Sequence, residues 1–420
     1  MAKPNVTIVG GGMITHDQLL PTVYHLQREG EIGDISVCAL NARPLKDLAS
    51  SAMLREAFPG QDFTPCPDPR KVGLDDAFPD LFKEAIARMS PRNLVVVAVP
   101  DHLHYGVLKV ALEHDQHVCC VKPLVLTHGQ AMEIEKLART RGLFVGVDYH
   151  KRFDDRNLIA RERYRAGEFG QFRLGQARLM EPWYYRESNF QNWCTCENSD
   201  FFTYVGCHYV DLVAFITGLL PAAVSVYGIV DEYPNGNKGY LWTDGRVIWE
   251  NGACLDVQNA IGYPNEAPGG NSQGMLLFCQ GKDRSGVIEH SDAFRGVKHS
   301  LAVSDTGRYY TEPNPDYFRL VHKGGKELTP VGYGHRSVEQ ILRTALGIER
   351  ATASLGEKDA LKTRQKMLAE IDAEGILATP ANSSYNELVI EAARKSITSG
   401  GRETTIRYGK NPGVDFRTKW

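Results

Sequence analysis

Asn5-Val6-Thr7-Ile8-Val9-Gly10-Gly11-Gly12-Met13-Ile14-Thr15 decides the fold. The first five residues make a short apolar, β-branched strand, and the glycines follow it without a spacer. The pattern is G-x-G-x-x-G with Thr15 in the third place. Gly10 permits the tight turn, and Gly12 lets a pyrophosphate approach the backbone where Met13 and Ile14 open the next helix. The third position has only to let helix and strand pack closely, which a threonine does with some loss of fit. A glycine triplet alone is equally a plain turn. Behind an N-terminal strand, in a chain that continues β-α-β, it reads as a dinucleotide loop.

The pattern continues outward from this loop. A helix to about Arg28, a strand 35–40 and a helix 45–57 come next. Asn93–Val99 is apolar on both faces, as a central parallel strand must be. A helix 103–114, a strand 117–121, a helix 128–141 and a strand 143–147 complete the alternation expected of a doubly wound parallel sheet. We therefore expect a Rossmann dinucleotide-binding domain over 1–148. Beyond it the period changes. A helix 154–166 precedes alternating segments at 172–180, 223–230, 246–250, 254–261, 274–280 and 285–291, interrupted by a helix 203–217. Helices are expected at 336–350 and 384–399, then a polar tail, with loops at 262–273 and 311–316. Residues 149–420 read as a second α/β domain on a mostly antiparallel open sheet, serving substrate binding and oligomerisation.

Composition narrows the function. The chain has 420 residues, with 48 Lys+Arg against 51 Asp+Glu and 42% hydrophobic residues, which suits two domains each with its own core. The near-neutral balance argues against nucleic acid or an anionic membrane surface as a partner. No apolar run reaches the roughly 18–20 residues of a membrane span, and the N-terminus lacks the pattern of a signal peptide. Nine cysteines, an odd number scattered through the chain, look like reduced thiols. The expectation is a cytoplasmic protein. Cys194, Cys196, Cys207 and His208 fit no zinc spacing, so no metal is expected.

The second strand ends Leu40-Asn41-Ala42-Arg43. An acidic residue there would bond the adenosine ribose of NAD. Its absence permits a 2′-phosphate, with which Arg43 could pair, while Asn41 can bond a bare 2′-hydroxyl. NAD(P) is the expected cofactor, with NADP slightly favoured.

Two further segments lie at carboxyl ends of predicted strands: Val99-Pro100-Asp101-His102-Leu103-His104 and His117-Val118-Cys119-Cys120-Val121-Lys122-Pro123. Gly206-Cys207-His208-Tyr209-Val210-Asp211 opens an apolar helix. With these the chain resembles the Gfo/Idh/MocA oxidoreductases. The glycine loop matches 10–15, Pro-x-x-x-His matches Pro100 to His104, and Glu-Lys-Pro matches Val121-Lys122-Pro123. Arg152-Phe153, the Gly-x-His-x-x-Asp motif at 206–211 and the closing helix Glu391–Ser396 match in order.

The resemblance implies Lys122 as proton acceptor beside a carbinol whose hydrogen leaves as hydride, with His208 orienting or sharing that hydroxyl. It implies contacts from Gly10, Gly12, Met13, Ile14, Asn41, Arg43, Pro100, His104 and Lys122 to the dinucleotide. The chain departs from the family at two places. Val121 replaces the glutamate before the lysine, and Tyr204 replaces an aspartate four residues before the histidine, which makes Tyr204 a further catalytic candidate. Asp211, counted with the substrate-binding residues, would fix the His208 tautomer or equally serve the helix. His150, Arg152, Trp183, Tyr185 and Trp193 lie where a sugar pocket could form. The expected activity is NAD(P)-dependent hydride transfer to or from a sugar, inositol or related polyol, in a homo-oligomer. Alternatives are elimination or glycosidic cleavage by transient oxidation, and a non-catalytic nucleotide-sensing regulator.

Overall fold

In the computed structural model, residues 3–267, 270–291, 300–303, 308–311, 317–324 and 327–418 are described. Residues 268–269 and 312–316 of the two expected loops lie outside them. The chain forms two compact units. The first comprises Met1–Val125, Gly129–His150 and Phe318–Asn382, and the second Leu126–His128, Lys151–Tyr317 and Ser383–Trp420.

The first unit is built on strands β1 (Val6–Val9), β2 (Ile35–Cys38), β3 (Thr64–Cys66), β4 (Leu94–Val97), β5 (His117–Val121) and β6 (Val145–Asp148). All pair in parallel, in the order β3-β2-β1-β4-β5-β6. The chain winds one way from β1 to β3 and the other way from β4 to β6, so the switch point lies between β1 and β4. The crevice outside their carboxyl ends is the ligand position of such sheets. Every residue of β1 and β4 is buried, as their unbroken apolar character requires. Helices α1 (Leu20–Arg28), α2 (Arg43–Ser50), α3 (Ala52–Ala57), α4 (Leu81–Ala87), α5 (His104–Glu113) and α6 (His128–Arg141) connect the strands. A π-helical turn, Thr15–Leu19, links the glycine loop to α1. It ends where Pro21 has no N–H to continue the ladder.

The second unit starts with α7 (Asp155–Arg165), capped by the Asp154 carboxylate on the Arg156 N–H. Strands β7 (Gln171–Pro182), β8 (Pro221–Glu232), β9 (Lys238–Trp249), β10 (Cys254–Tyr263), β11 (Ser272–Gln280) and β12 (Ser285–Ser291) follow, with helices α8 (Phe190–Trp193) and α9 (Cys207–Thr217) between β7 and β8. A π-helical turn, Phe202–Gly206, runs straight into α9. Two short hairpins come next along the chain: β13 (Ser300–Val303) with β14 (Arg308–Thr311), and, in the first unit, β15 (Arg319–His322) with β16 (Leu328–Val331).

Helices α10 (Tyr333–Thr352), α11 (Glu357–Glu374), α12 (Pro380–Ser383) and α13 (Tyr385–Ile397) precede strands β17 (Thr404–Arg407) and β18 (Gly413–Phe416). The large sheet reads β12-β11-β7-β10-β9-β8-β17-β18. It is antiparallel except for the β7–β10 pair. One of its faces carries exposed Tyr227 and Ile229 at one side and Leu174, Phe278 and Val287 at the other, around the charged Asp244, Arg246, Asp256 and Arg178.

The division of the sequence at 148/149 placed everything after it in the second domain. By packing, 318–382 go with the first unit instead. Helix α10 lies on β5 and β6, and Gly146 makes the approach possible, since a Cβ there would sit 2.6 Å from the Ile341 side chain. The expected polar tail contains β17 and β18. Helix α11 was not expected: it buries only Ala360, Arg364 and Leu368, and its charged remainder hides the apolar stripe. Among the described residues no helix is long and apolar enough to cross a membrane.

Candidate active site

The glycine loop leaves β1 at the switch point. Gly10 has φ +121°, and a Cβ there would fall 2.0 Å from the Ala98 carbonyl oxygen beyond β4, so only glycine fits. Gly11 packs under Ala39 and Pro44, whereas Gly12 has no atom within 4 Å of the place its Cβ would take. Buried Thr15 does more than tolerate the third position: its hydroxyl donates to the Gly10 carbonyl at 2.7 Å and pins the turn. Met13 is 38% exposed beside the loop, and Ile14 caps the π-turn.

At the end of β2, the Asn41 Oδ1 is buried without a hydrogen-bond partner. An orphaned acceptor is costly unless something donates to it, and a ribose hydroxyl would. The open backbone at Gly12 and this acceptor both fit a dinucleotide. Arg43 is already engaged, its Nε donating to Asp75 Oδ1 at 2.7 Å and its Nη2 to Oδ2 at 2.5 Å.

Pro100 starts the turn after β4. The ring nitrogens of His104, fully buried, lie 2.7 Å from the Pro123 carbonyl and 2.8 Å from that of Val99. His104 was expected at the cofactor. Instead, both nitrogens staple the loop after β4 to the Lys122-Pro123 turn, which is cis. Lys122, only 9% exposed, follows the end of β5.

On the neighbouring strand, Asp148 ends β6 and is the ladder partner of Val121. Its Oδ2 accepts from Gln18 Nε2 at 2.9 Å, and its Oδ1 from the Ser337 hydroxyl at 2.5 Å. Burial pushes the carboxyl up to about 6, although both donors and the Lys122 charge pull the other way. The His150 Nδ1 is 4.0 Å from Oδ2, with its ring against Tyr333. Sequence reading missed Asp148, Gln18 and Ser337. A carboxylate closing the buried run Val145-Gly146-Val147 was a usable signal for the first. Nothing in the sequence ties Ser337, 189 residues away, to it.

In the second unit, Arg152 and Asp211 form a buried ion pair. Arg152 Nε donates to Oδ2 at 2.7 Å and Nη2 to Oδ1 at 2.5 Å, while the Tyr385 hydroxyl (2.8 Å) and Asn386 Nδ2 (3.0 Å) also donate to Oδ1. The expected substrate contacts of Arg152 and Asp211 are thus spent on holding α9 to α13, and these four donors leave Asp211 a scaffold residue. His208, buried, is the second residue of α9. Tyr204 stands in the π-turn, where α-helical i,i+4 spacing no longer applies. Its ring sits in an aromatic nest with Phe190, Trp193 and Phe201, and Tyr185 stacks on Phe190. Tyr185, Trp193 and the Tyr204 ring are therefore packing groups.

Trp183 is 41% exposed, with the Arg186 guanidinium 3.7 Å over its ring. Both line a hollow of about 370 Å³ with Glu187, Glu232 and Asn265. Lys151, missed in the sequence, is buried with Nζ donating to Gln273 Oε1 at 2.7 Å and lying over Tyr209. Among the described residues, His25, His335 and Glu339 bring metal-type ligand atoms within 4.8 Å of one another. The His25 nitrogens are occupied by Arg28 and Glu29, so the group reads as an ion-pair network.

Residues 4–149 match the model of the Gfo/Idh/MocA "oxidoreductase family, NAD-binding Rossmann fold". The match spans strands β1 to β6. An uncharacterized oxidoreductase of Schizosaccharomyces pombe is 32% identical over 100 residues, 24% of this chain and 27% of its own. The D-glucoside 3-dehydrogenase of Escherichia coli is 30% identical over 139 residues, 32% of this chain and 38% of its own. The matched stretch thus spans about a quarter to two fifths of these curated relatives. Over the whole length, the fold is that of an inositol dehydrogenase homolog from Azotobacter vinelandii, solved with NADH and myo-inositol (TM-score 0.62, 17% identity, 96% of this chain and 97% of that one).

Proposed function

We propose that the chain is a dehydrogenase that moves a hydride between NAD and a carbinol of a sugar, inositol or related polyol. The observation that carries this is the open Gly12 backbone at the switch point with the orphaned Asn41 acceptor beyond β2, at the carboxyl ends of the same sheet from whose β5 Lys122 follows. Names of relatives, a glucoside dehydrogenase and an inositol dehydrogenase homolog, support the substrate class.

A bound nicotinamide supplies the hydride acceptor. The chain's own residues do the rest. Gly10 and Thr15 hold the loop, Gly12 gives the pyrophosphate room, and Asn41 accepts from a ribose hydroxyl. Lys122 takes the carbinol proton as the hydride leaves, and returns it in the reverse direction. Within the second unit, His208 is a group able to hold a hydroxyl, and we assign it no partner from the first.

For the cofactor we favour NAD over NADP. Arg43 is neutralised by Asp75, so a 2′-phosphate would have to displace one carboxylate and would gain little. The exposed apolar residues on the large sheet support association between copies. A panel of sugars and polyols, run with each cofactor and followed by NADH absorbance, tests the reading. Turnover of a polyol with NAD is expected, and binding of NAD with no turnover in the whole panel would overturn the redox assignment.

A further inference from the structure

We propose that His117 is an acid-sensitive latch: its neutral imidazole ties the amino end of β5 to the last turns of α10, and its protonation frees that end of the helix. The proposal goes beyond the reading as a dehydrogenase and stands independently of it.

Two contacts fix the state of the ring, and both lie within the first unit. The Phe144 N–H, just before β6, donates to His117 Nδ1 at 2.9 Å. A backbone N–H has only a proton to give, so Nδ1 holds a lone pair. The neutral ring then carries its proton on Nε2, which donates to Glu349 Oε1 at 2.9 Å. The contact is therefore a hydrogen bond from a neutral imidazole to a carboxylate. His117 is fully buried. A proton on Nδ1 would face the Phe144 N–H donor to donor, and its charge would lie out of reach of water.

Helix α10 is clamped at two places. Near its start the Ser337 hydroxyl donates to Asp148, at the carboxyl end of β6. About three turns later Glu349 accepts from His117, at the amino end of β5. The second clamp stands among strained residues. Arg92 (φ +70°) and Asp115 (φ +57°) both hold left-handed backbones, and the Arg92 N–H donates to the Asp115 carbonyl at 2.8 Å. Non-glycine residues persist there only where the surroundings over-determine them, as at clamps and switches.

The charges around the ring set the direction of its titration. Arg92, ahead of β4, has Nη1 4.0 Å from Glu349 Oε1, and Arg364 comes from α11. Asp115 is paired with Arg141, at the end of α6. Burial lowers the His117 value from its ordinary 6.5; Glu349 pulls the other way, and Arg92 and Arg364 add to the lowering. Burial opposes ionisation of Glu349, but the His117 N–H and the two guanidinium groups hold its carboxyl below the usual range. The latch is thus complete above about pH 6.5, and its contribution is lost as pH falls from there through the folded value.

The test uses the full chain with ¹⁵N-labelled histidine. The His117 ring is identified by its loss in His117→Gln, or by its nuclear Overhauser contact with the Phe144 amide. At neutral pH it should show a bare Nδ1 and a protonated Nε2. A proton on Nδ1 at that pH overturns the proposal. Hydrogen exchange read by mass spectrometry then follows the helix, corrected for the intrinsic pH dependence of exchange. Between about pH 7.5 and about pH 5.5, protection over 345–352 should fall by about tenfold, as proton uptake by an opened histidine requires. Protection over 333–340 should hold, and His117→Gln, which cannot titrate, should show no acid loss in either segment. If that variant does not fold, His117→Asn takes its place, since it keeps an acceptor toward Phe144. Protection over 345–352 that ignores pH, or an acid loss that persists in the non-titrating variant, would refute the latch.

Discussion

Replacing Asp211 by asparagine leaves a buried guanidinium without its counter-ion. In the parent, two guanidinium nitrogens of Arg152, the Tyr385 hydroxyl and Asn386 all donate to this carboxylate, with both ionic partners at most 3% exposed in their side chains. Removing one member of such a pair costs about 3–5 kcal/mol, because the remaining charge is stranded in low dielectric. For a folding unit of about 150–250 residues, each kcal/mol moves Tm by about 2–4 °C. A fall of roughly 6–20 °C follows from those two figures. Calorimetry or dye-based melting reads it directly. A double variant, Arg152→Met with Asp211→Leu, removes both charges and should recover much of the loss. Steady-state kinetics at a temperature where the single variant is folded should show kcat and KM near the parent's. A parent-like Tm with a KM raised tenfold or more would refute this reasoning and make Asp211 a substrate ligand.

Three side chains and the cofactor loop give further expectations. Asn41→Ala should weaken NAD by about two- to tenfold, the worth of one hydrogen bond, in a fluorescence titration. Arg43→Ala should leave NAD affinity nearly unchanged, since its partner is Asp75; a large loss would show that Arg43 leaves Asp75 for the cofactor. Gly10→Ala should prevent the first unit from folding normally, read as a Tm loss of many degrees or insoluble protein, because the new Cβ meets the Ala98 carbonyl. Asp148 gives a stability test. Its folded value of about 6 lies above the ordinary 3.8, so the native state binds the proton more tightly than the unfolded chain. Its contribution is present below about pH 4 and lost as pH rises through about 6. The parent's Tm, compared with that of Asp148→Asn, should decline across that window, and a constant difference would contradict the shift.

The parts of the fold that the sequence carries are those whose burial is written in consecutive residues. β1, β4 and β5 are apolar throughout, and the glycine loop stands directly behind one of them. The parallel β7–β10 pair in the large sheet was not legible, since alternation shows that a strand has one buried face but not the direction of its neighbour. Helix α11 was hidden by its charged surface, and β17 and β18 by their brevity. The geometry was legible where a motif is local, as at the Gly10–Thr15 turn and the Lys122-Pro123 turn after β5. It was not where the partners come from distant segments: Ser337 and Gln18 on Asp148, and Tyr385 and Asn386 on Asp211. Arg152 and Asp211 show the cost of reading charge as function. Both belong to family motifs, yet they neutralise each other in the interior. Tyr204 shows a similar limit, because a π-turn replaces the helix on which its spacing argument rested.

The central claim is that the glycine loop binds a nicotinamide dinucleotide through its open backbone. Titration calorimetry of NAD into the parent and into Gly12→Ala tests it most directly. A Cβ at residue 12 meets nothing within 4 Å of the protein, so the variant should melt with the parent. We predict one NAD bound per chain in the parent, and affinity lowered at least tenfold in Gly12→Ala at an unchanged Tm. Equal affinity in the two proteins, or no binding to the parent, would contradict the account.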